Sequence, residues 1–198
     1  TSDINTFKYI CALDSDTRLP MDAVSQLTAI AAHPLNRAKI NKKTKTIESG
    51  YGIIVPYIGT SLLSSGSTLF SKTVGGVCGI SVYDLSAAER YQDLFSRGTF
   101  CGKGLIDVEA AYTVLEGAFR SQHILSHDIL EGELLRTAYV SDVEFTDAAI
   151  SNPKAYFDRQ HRWIRGDWQN IIYLKKKVKA EQEGRSISFD RMSKYKLF

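Results

Sequence analysis

Short apolar runs alternate with stretches of helical periodicity along almost the whole chain, and this alternation confines the fold to packed α/β layers. Residues 9–13 form an apolar run that stops at Asp14, as a buried strand that delivers acidic side chains at its carboxyl end would. Pro20 then opens a helical pattern over 21–32, which His33-Pro34 ends. Residues 37–46 are basic and polar and read as a loop, and 52–55 read as a strand stopped by Pro56. The stretch 59–79 is rich in Ser and Gly and reads as loops and short helices. A strand or strand end at 99–102 is followed by a helix over 107–115, with Asp107 placed to cap it. A further helix spans 128–137, an alternating strand 140–145, and a helical stretch 153–177 carries an expected break at Gly166. Strands interleaved with helices predict a mainly parallel sheet flanked by helices.

Composition narrows the function classes. With 198 residues, 43% of them hydrophobic and 24% charged, the chain can build the core of one domain or the larger part of one. A net charge of +3 is too mild to argue for nucleic acid. The basic excess gathers at the end, in Lys175, Lys176, Lys177, Lys179, Lys194 and Lys196. Such a run fits a solvated terminus or contact with an acidic membrane surface. Cys11, Cys78 and Cys101 have no CxxC spacing, which argues against a disulfide framework or a zinc site. No stretch reaches the roughly 18 apolar residues of a membrane span. Residues 1–7 carry no start methionine, so an excised segment is expected.

Four groups of residues can carry chemistry. Asp14-Ser15-Asp16 follows the first strand, and its two carboxylates can converge on one divalent cation. The plainer reading is a loop cap, because turns are rich in Asp and Ser. His127-Asp128 stands at the start of a helix, where Asp128 is either an N-terminal cap or a general base for an attacking hydroxyl. Arg159, Arg162, Trp163, Arg165, Asp167 and Trp168 crowd cations and aromatics into one helical stretch. Arg162 can grip diphosphate oxygens and Trp163 can wall a sugar, or the helix simply docks through its tryptophans. Phe100-Cys101-Gly102-Lys103-Gly104 offers glycines for close backbone approach, but it lacks the P-loop spacing.

The order of these groups is more specific than any one of them. Asp-X-Asp, then Phe-Cys-Gly, then Asp128, then Arg162-Trp163 resembles the motif series of processive β-glycosyltransferases of the GT-A fold. The runs FCGKGLIDVEA (100–110), ILSHDILEGE (124–133), VSDVEF (140–145) and RQHRWIRGDWQ (159–169) are similar to glycosyltransferase family 84. That family is the transferase domain of cyclic β-1,2-glucan synthases. The segment Gly50-Tyr51-Gly52 to Pro56 resembles it too.

The resemblance implies a GT-A-like, Rossmann-like α/β domain, expected to be incomplete at its N-terminus because few residues precede Asp14. It implies an inverting glucosyltransferase that moves glucose from UDP-glucose to a growing β-1,2-glucan. Asp14 and Asp16 would bind Mg²⁺ or Mn²⁺ and the donor, and Asp128 would be the general base. Arg159, Arg162 and Trp163 would hold the donor diphosphate and the acceptor end. Phe100, Cys101 and Gly102 would face the acceptor sugar. Arg159 stands where the wider superfamily has Gln, and His127 replaces an acidic neighbour. The resemblance further implies a parent protein at the cytoplasmic face of a bacterial inner membrane, with residues 170–198 leading toward a membrane segment. The isolated fragment is expected to be soluble and inactive. Two rivals remain open: a non-catalytic glucan- or membrane-binding fragment, and a metal-dependent α/β hydrolase. The hydrolase leaves the Arg-Trp cluster unexplained.

Overall fold

A computed structural model describes residues 7–74, 84–85, 88–119 and 126–196. Cys78, His123 and the pair Ile124-Leu125 lie outside the described residues. The elements run β1 (Tyr9–Ala12), α1 (Ala23–Ala32), β2 (Lys39–Asn41), β3 (Thr46–Ser49), β4 (Ile53–Thr60), α2 (Leu62–Ser65) and α3 (Leu69–Val74). There follow β5 (Asp84–Leu85), β6 (Ala88–Glu89), α4 (Arg90–Phe95), β7 (Gly104–Asp107), α5 (Val108–Leu115), α6 (Asp128–Leu135) and β8 (Thr137–Asp147). The chain closes with α7 (Pro153–Gln169), a 3-10 turn (Asn170–Leu174), β9 (Val178–Lys179), β10 (Ser186–Ile187) and α8 (Arg191–Lys196).

The central sheet has four strands in the order β1-β7-β4-β8. β4 and β8 pair in parallel, whereas β7 runs antiparallel to both β1 and β4. This corrects the expectation of a mainly parallel sheet: the sheet is mixed. β1, β4 and β8 share one direction, and the short β7 is inserted between them in reverse. The reversal matters for position, because β7 then starts at the edge where the other three strands end.

Both faces of the sheet are covered. Leu27 and Ala31 of α1 pack with Ile54, Ile58, Leu105 and Phe145 on one face. Ala110 and Val114 of α5 pack with Ile53, Val55, Phe100 and Leu135 on the other. Asp107 caps α5 as its sequence position suggests, accepting a hydrogen bond from the Ala110 N–H at 3.0 Å. A third cluster of Leu130, Tyr173, Ala180, Ile187 and Phe189 fastens the C-terminal segment to α6. Ser193 adds a hydrogen bond to Glu133 at 2.6 Å.

Several element boundaries differ from the sequence reading. β4 continues through Pro56 to Thr60. β7 pairs only with Ile53 and Ile54, so Pro56 lies beyond the ladder that would have needed its N–H, and the register against β8 shifts at that point. The stretch read as a basic loop contains the β2–β3 hairpin. Its turn is held by Asn41, whose side-chain oxygen accepts from the Lys43 and Thr44 N–H groups. Residues 99–102 precede β7 instead of forming a strand. β1 is an edge strand with Ile10 exposed, not a buried one, and Leu13 just after it is exposed too. α7 runs unbroken through Gly166. No described helix is long and apolar enough to cross a membrane.

Phe145 is fully buried where α1 meets the sheet. Phe145→Ala is expected to lower the unfolding free energy by about 3–5 kcal/mol in urea titrations. A loss below about 1 kcal/mol would mean that this cluster does not hold the layers together.

Candidate functional site

The site lies at the carboxyl ends of β1, β4 and β8, the edge at which open α/β sheets bind ligands. The register fixes this edge, since Ala12 sits opposite Gly104 and Thr60 opposite Asp147. Asp14 follows β1 directly. It opens a tight turn in which the Thr17 N–H donates to the Asp14 carbonyl at 3.1 Å. Beyond the turn, Arg18 bridges to Thr146, which pins the acidic turn to the end of β8.

A network of charges joins the strand ends. Lys103, immediately before β7, is only 3% exposed, and its Nζ lies 2.9 Å from Asp14 Oδ2. The same ammonium donates to Asp147 Oδ2 at the end of β8. Asp147 Oδ1 accepts from Thr17 Oγ1 at 2.7 Å. Burial alone would lower the pKa of Lys103, but hydrogen bonds to Asp147 and Asp14 and their charges outweigh it and raise the pKa. Asp16 is exposed and has no described ion pair. A cavity of about 280 Å³ adjoins this edge, lined by Arg18, Ser61, Leu63, Ser64, Asp147 and Ala148.

The segment carrying Lys103 also reaches Asp128. Gly102 has φ +86°, and a Cβ there would lie 3.1 Å from Asp128 Oδ2. An alanine at this position would be strained in its backbone and would crowd that carboxylate. Gly102 therefore touches the Asp128 region while its neighbour Lys103 holds Asp14. Asp128 begins α6 with its side chain 39% exposed. Burial raises its pKa, the His127 side chain opposes the rise, and the negative charge of Asp14 adds to it. His127 Nδ1 stands 3.3 Å from Asp128 Oδ1 and 3.1 Å from Glu131 Oε1. The three residues place one ligand atom each within 4.8 Å of one another, a nitrogen-and-oxygen set able to take a metal.

α7 docks just upstream of Asp128. A Cβ at Gly166 would lie 2.1 Å from Ser126 Oγ, so the glycine exists for this approach and not to break the helix. Asn170 donates to the Ser126 carbonyl at 2.9 Å. Arg159 lies three and four positions before Arg162 and Trp163, and Gly166 lies four and three positions after them, which places the four along one stripe of α7. The Arg159 guanidinium lies 4.6 Å from the centre of the Trp163 ring. Arg162 is exposed one turn before Gly166.

The expected site residues thus sit in segments that touch one another, with one departure. Phe100 is 4% exposed and belongs to the core, so it supports the 100–103 segment from beneath and does not face solvent. The sequence reading missed three partners: Asp147, Thr17 and Glu131. Asp147 had a usable signal, an acidic residue closing a strand just as Asp14 does. Glu131 had one in its i,i+4 relation to His127. For the expected Mg²⁺ or Mn²⁺, Asp16 and the second oxygen of Asp14 offer the hard oxygen donors these ions take, while Lys103 engages Oδ2 of Asp14.

No known family model matches the chain. It is 38% identical over 168 residues to the cyclic beta-(1,2)-glucan synthase NdvB of Rhizobium meliloti (strain 1021). The match covers 84% of this chain and 6% of that protein. The chain is therefore a distant homologue of one region of a cyclic β-1,2-glucan synthase.

The raised carboxylates have a consequence for stability. Burial is the largest cause of the raised pKa for both Asp128 and Glu131. Each binds its proton more tightly in the folded chain than in the unfolded one. Its contribution is fully present below the ordinary carboxylate pKa and is lost as pH rises through the raised folded value. Asp128→Asn and Glu131→Gln remove this loss. Both variants are expected to equal or exceed the parent in urea midpoint at neutral pH, with the difference gone at about pH 3. A clearly lower midpoint at neutral pH would mean that the ionised carboxylates are net stabilising.

Proposed function

We propose that this chain is part of an inverting glucosyltransferase that moves glucose from UDP-glucose to a growing β-1,2-glucan. The observation that carries the reading is the placement of Gly102 against Asp128 while Lys103 grips Asp14. This puts the acidic turn and the candidate base at one sheet edge. The likeness to a cyclic β-1,2-glucan synthase over most of the chain supports the same reading. So do the runs FCGKGLIDVEA, ILSHDILEGE and RQHRWIRGDWQ, which resemble glycosyltransferase family 84.

In this reading Asp128 accepts the proton of a glucan hydroxyl as that oxygen attacks the anomeric carbon. One C–O bond forms as the bond to UDP breaks, and UDP departs with the electron pair, inverting the carbon. The raised proton affinity of Asp128 makes it a stronger base than a solvated carboxylate. Arg162, exposed on α7, would face diphosphate oxygens, which its planar fork can bind in a bidentate way. Trp163, backed by Arg159, presents a flat apolar surface for a sugar ring. Cys101 and Gly102 line the acceptor side. Asp16, with Asp14 beside it, would hold Mg²⁺ or Mn²⁺, which when bound neutralises charge on a departing diphosphate. The rest is positioning and electrostatics supplied by the chain itself. The parent protein's membrane attachment and its glucan product belong to this same proposal.

In a full-length protein carrying this segment, Asp128→Asn is expected to lower transfer from UDP-glucose by about 10²-fold or more, with donor binding retained. Turnover equal to the parent's would remove Asp128 from the role of base.

A further inference from the structure

His127 and Glu131 meet beside Asp128, and the transfer reaction proposed above leaves both without a role. The two oxygens of Asp128 stand in different company. Oδ2 faces the 100–103 segment: a Cβ at Gly102 would lie 3.1 Å from it and 3.8 Å from Oδ1. Oδ1 instead stands 3.3 Å from His127 Nδ1. The same nitrogen lies 3.1 Å from Glu131 Oε1, and Glu131 is the least exposed of the three side chains at 26%. The helix builds this contact. The Glu131 N–H donates to the His127 carbonyl at 2.9 Å, so the first turn sets the carboxylate over the imidazole. Burial raises the Glu131 pKa, and the charge of His127 and a hydrogen bond from its ring oppose the rise. Two carboxylate oxygens around one ring nitrogen call for a proton on that nitrogen, because a bare Nδ1 would set its lone pair against theirs.

We propose that Glu131 and His127 are positioning residues for Asp128: Glu131 fixes the imidazole with its proton on Nδ1, the imidazole edge holds Oδ1, and Oδ2 is left as the oxygen that takes the proton of the attacking hydroxyl. This rests on the reading of Asp128 as the base and adds the choice of oxygen. The last torsion of an aspartate is broad, so an unrestrained carboxylate presents either oxygen in many directions. Held through one oxygen, it presents the other in one direction, toward the segment that carries Gly102. A glycine at 102 suits the same choice, since any Cβ there would crowd Oδ2 first.

The first measurement uses the 198-residue chain and no sugar. Long-range proton–nitrogen correlation of the His127 ring at about pH 8.5, well above the ordinary histidine pKa, is expected to show the proton on Nδ1. Glu131→Leu should lose that preference, whereas Glu131→Gln, whose amide oxygen still accepts, should keep it. A bare Nδ1 in the parent overturns the proposal, and so does an Nδ1 proton indifferent to Glu131→Leu. The second measurement uses a full-length protein carrying this segment. There Glu131→Leu is expected to lower kcat for transfer from UDP-glucose about tenfold, with the KM for the donor moving less than about twofold. Glu131→Gln is expected to recover most of the lost kcat. A parental kcat in Glu131→Leu, or a Glu131→Gln enzyme no better than Glu131→Leu, overturns the proposal. A parent protein with no transfer from UDP-glucose sinks the transferase reading and this use of the pair with it. The ring proton is read without any turnover, so a failure there leaves the transferase reading standing.

Discussion

One buried ammonium, shared by two carboxylates from distant parts of the chain, decides the shape of this sheet edge. Lys103 holds Asp14 after β1 and Asp147 at the end of β8, while its own backbone leads into β7. Such a cluster gains little over apolar groups of equal volume, and Asp147, only 13% exposed, is the partner whose loss would cost more than that of Asp14, which is 60% exposed. The arrangement therefore specifies geometry more than it adds stability. It fixes where residues 100–103 sit, and this in turn sets Gly102 beside Asp128.

The same edge gathers charge in an ordered way. Asp14 pairs with the buried Lys103, and both Asp14 and Asp16 are exposed. Asp128 is half-sheltered, raised in proton affinity by burial and by Asp14, and restrained by His127. α7 arrives through Gly166 and Asn170 at Ser126, two residues before Asp128, and brings the Arg159–Trp163 stack with it. The acidic groups thus gather around the 100–103 segment, and α7 packs against Ser126 close to them. The proposed glucosyl transfer draws on this neighbourhood, and homology to one region of a cyclic β-1,2-glucan synthase points the same way.

Much of this was legible in the sequence where local rules act alone. The Asp107 cap, the helical periods of α5 and α6 and the alternation in the second half of β8 depend on neighbours a few residues away and match the sequence reading, except that α6 ends at Leu135 and Thr137 already belongs to β8. The errors fall where tertiary contacts override local signals. Pro56 reads as a stop, but β7 is too short to reach it, so no ladder bond is lost. Gly166 reads as a break, but Ser126 presses against it. The reversed direction of β7 is invisible to periodicity, because a short apolar run carries no arrow. Lys103 was legible only as part of a glycine-rich turn. Its partners lie 89 and 44 positions away (Asp14 and Asp147), and no local pattern links them. Phe100 was assigned outward by resemblance, whereas the packing of α5 draws it into the core.

The central claim is that Asp14 and Asp128 share one cleft across the 100–103 segment, and the charge of one should be felt by the other. The most direct test is the titration of the Asp128 side-chain carboxyl by carbon NMR, in the parent chain and in Asp14→Asn. The account expects a midpoint above the usual carboxylate range in the parent and a downward move once the Asp14 charge is gone. An Asp128 titration that is ordinary in the parent and indifferent to the loss of Asp14 would contradict it.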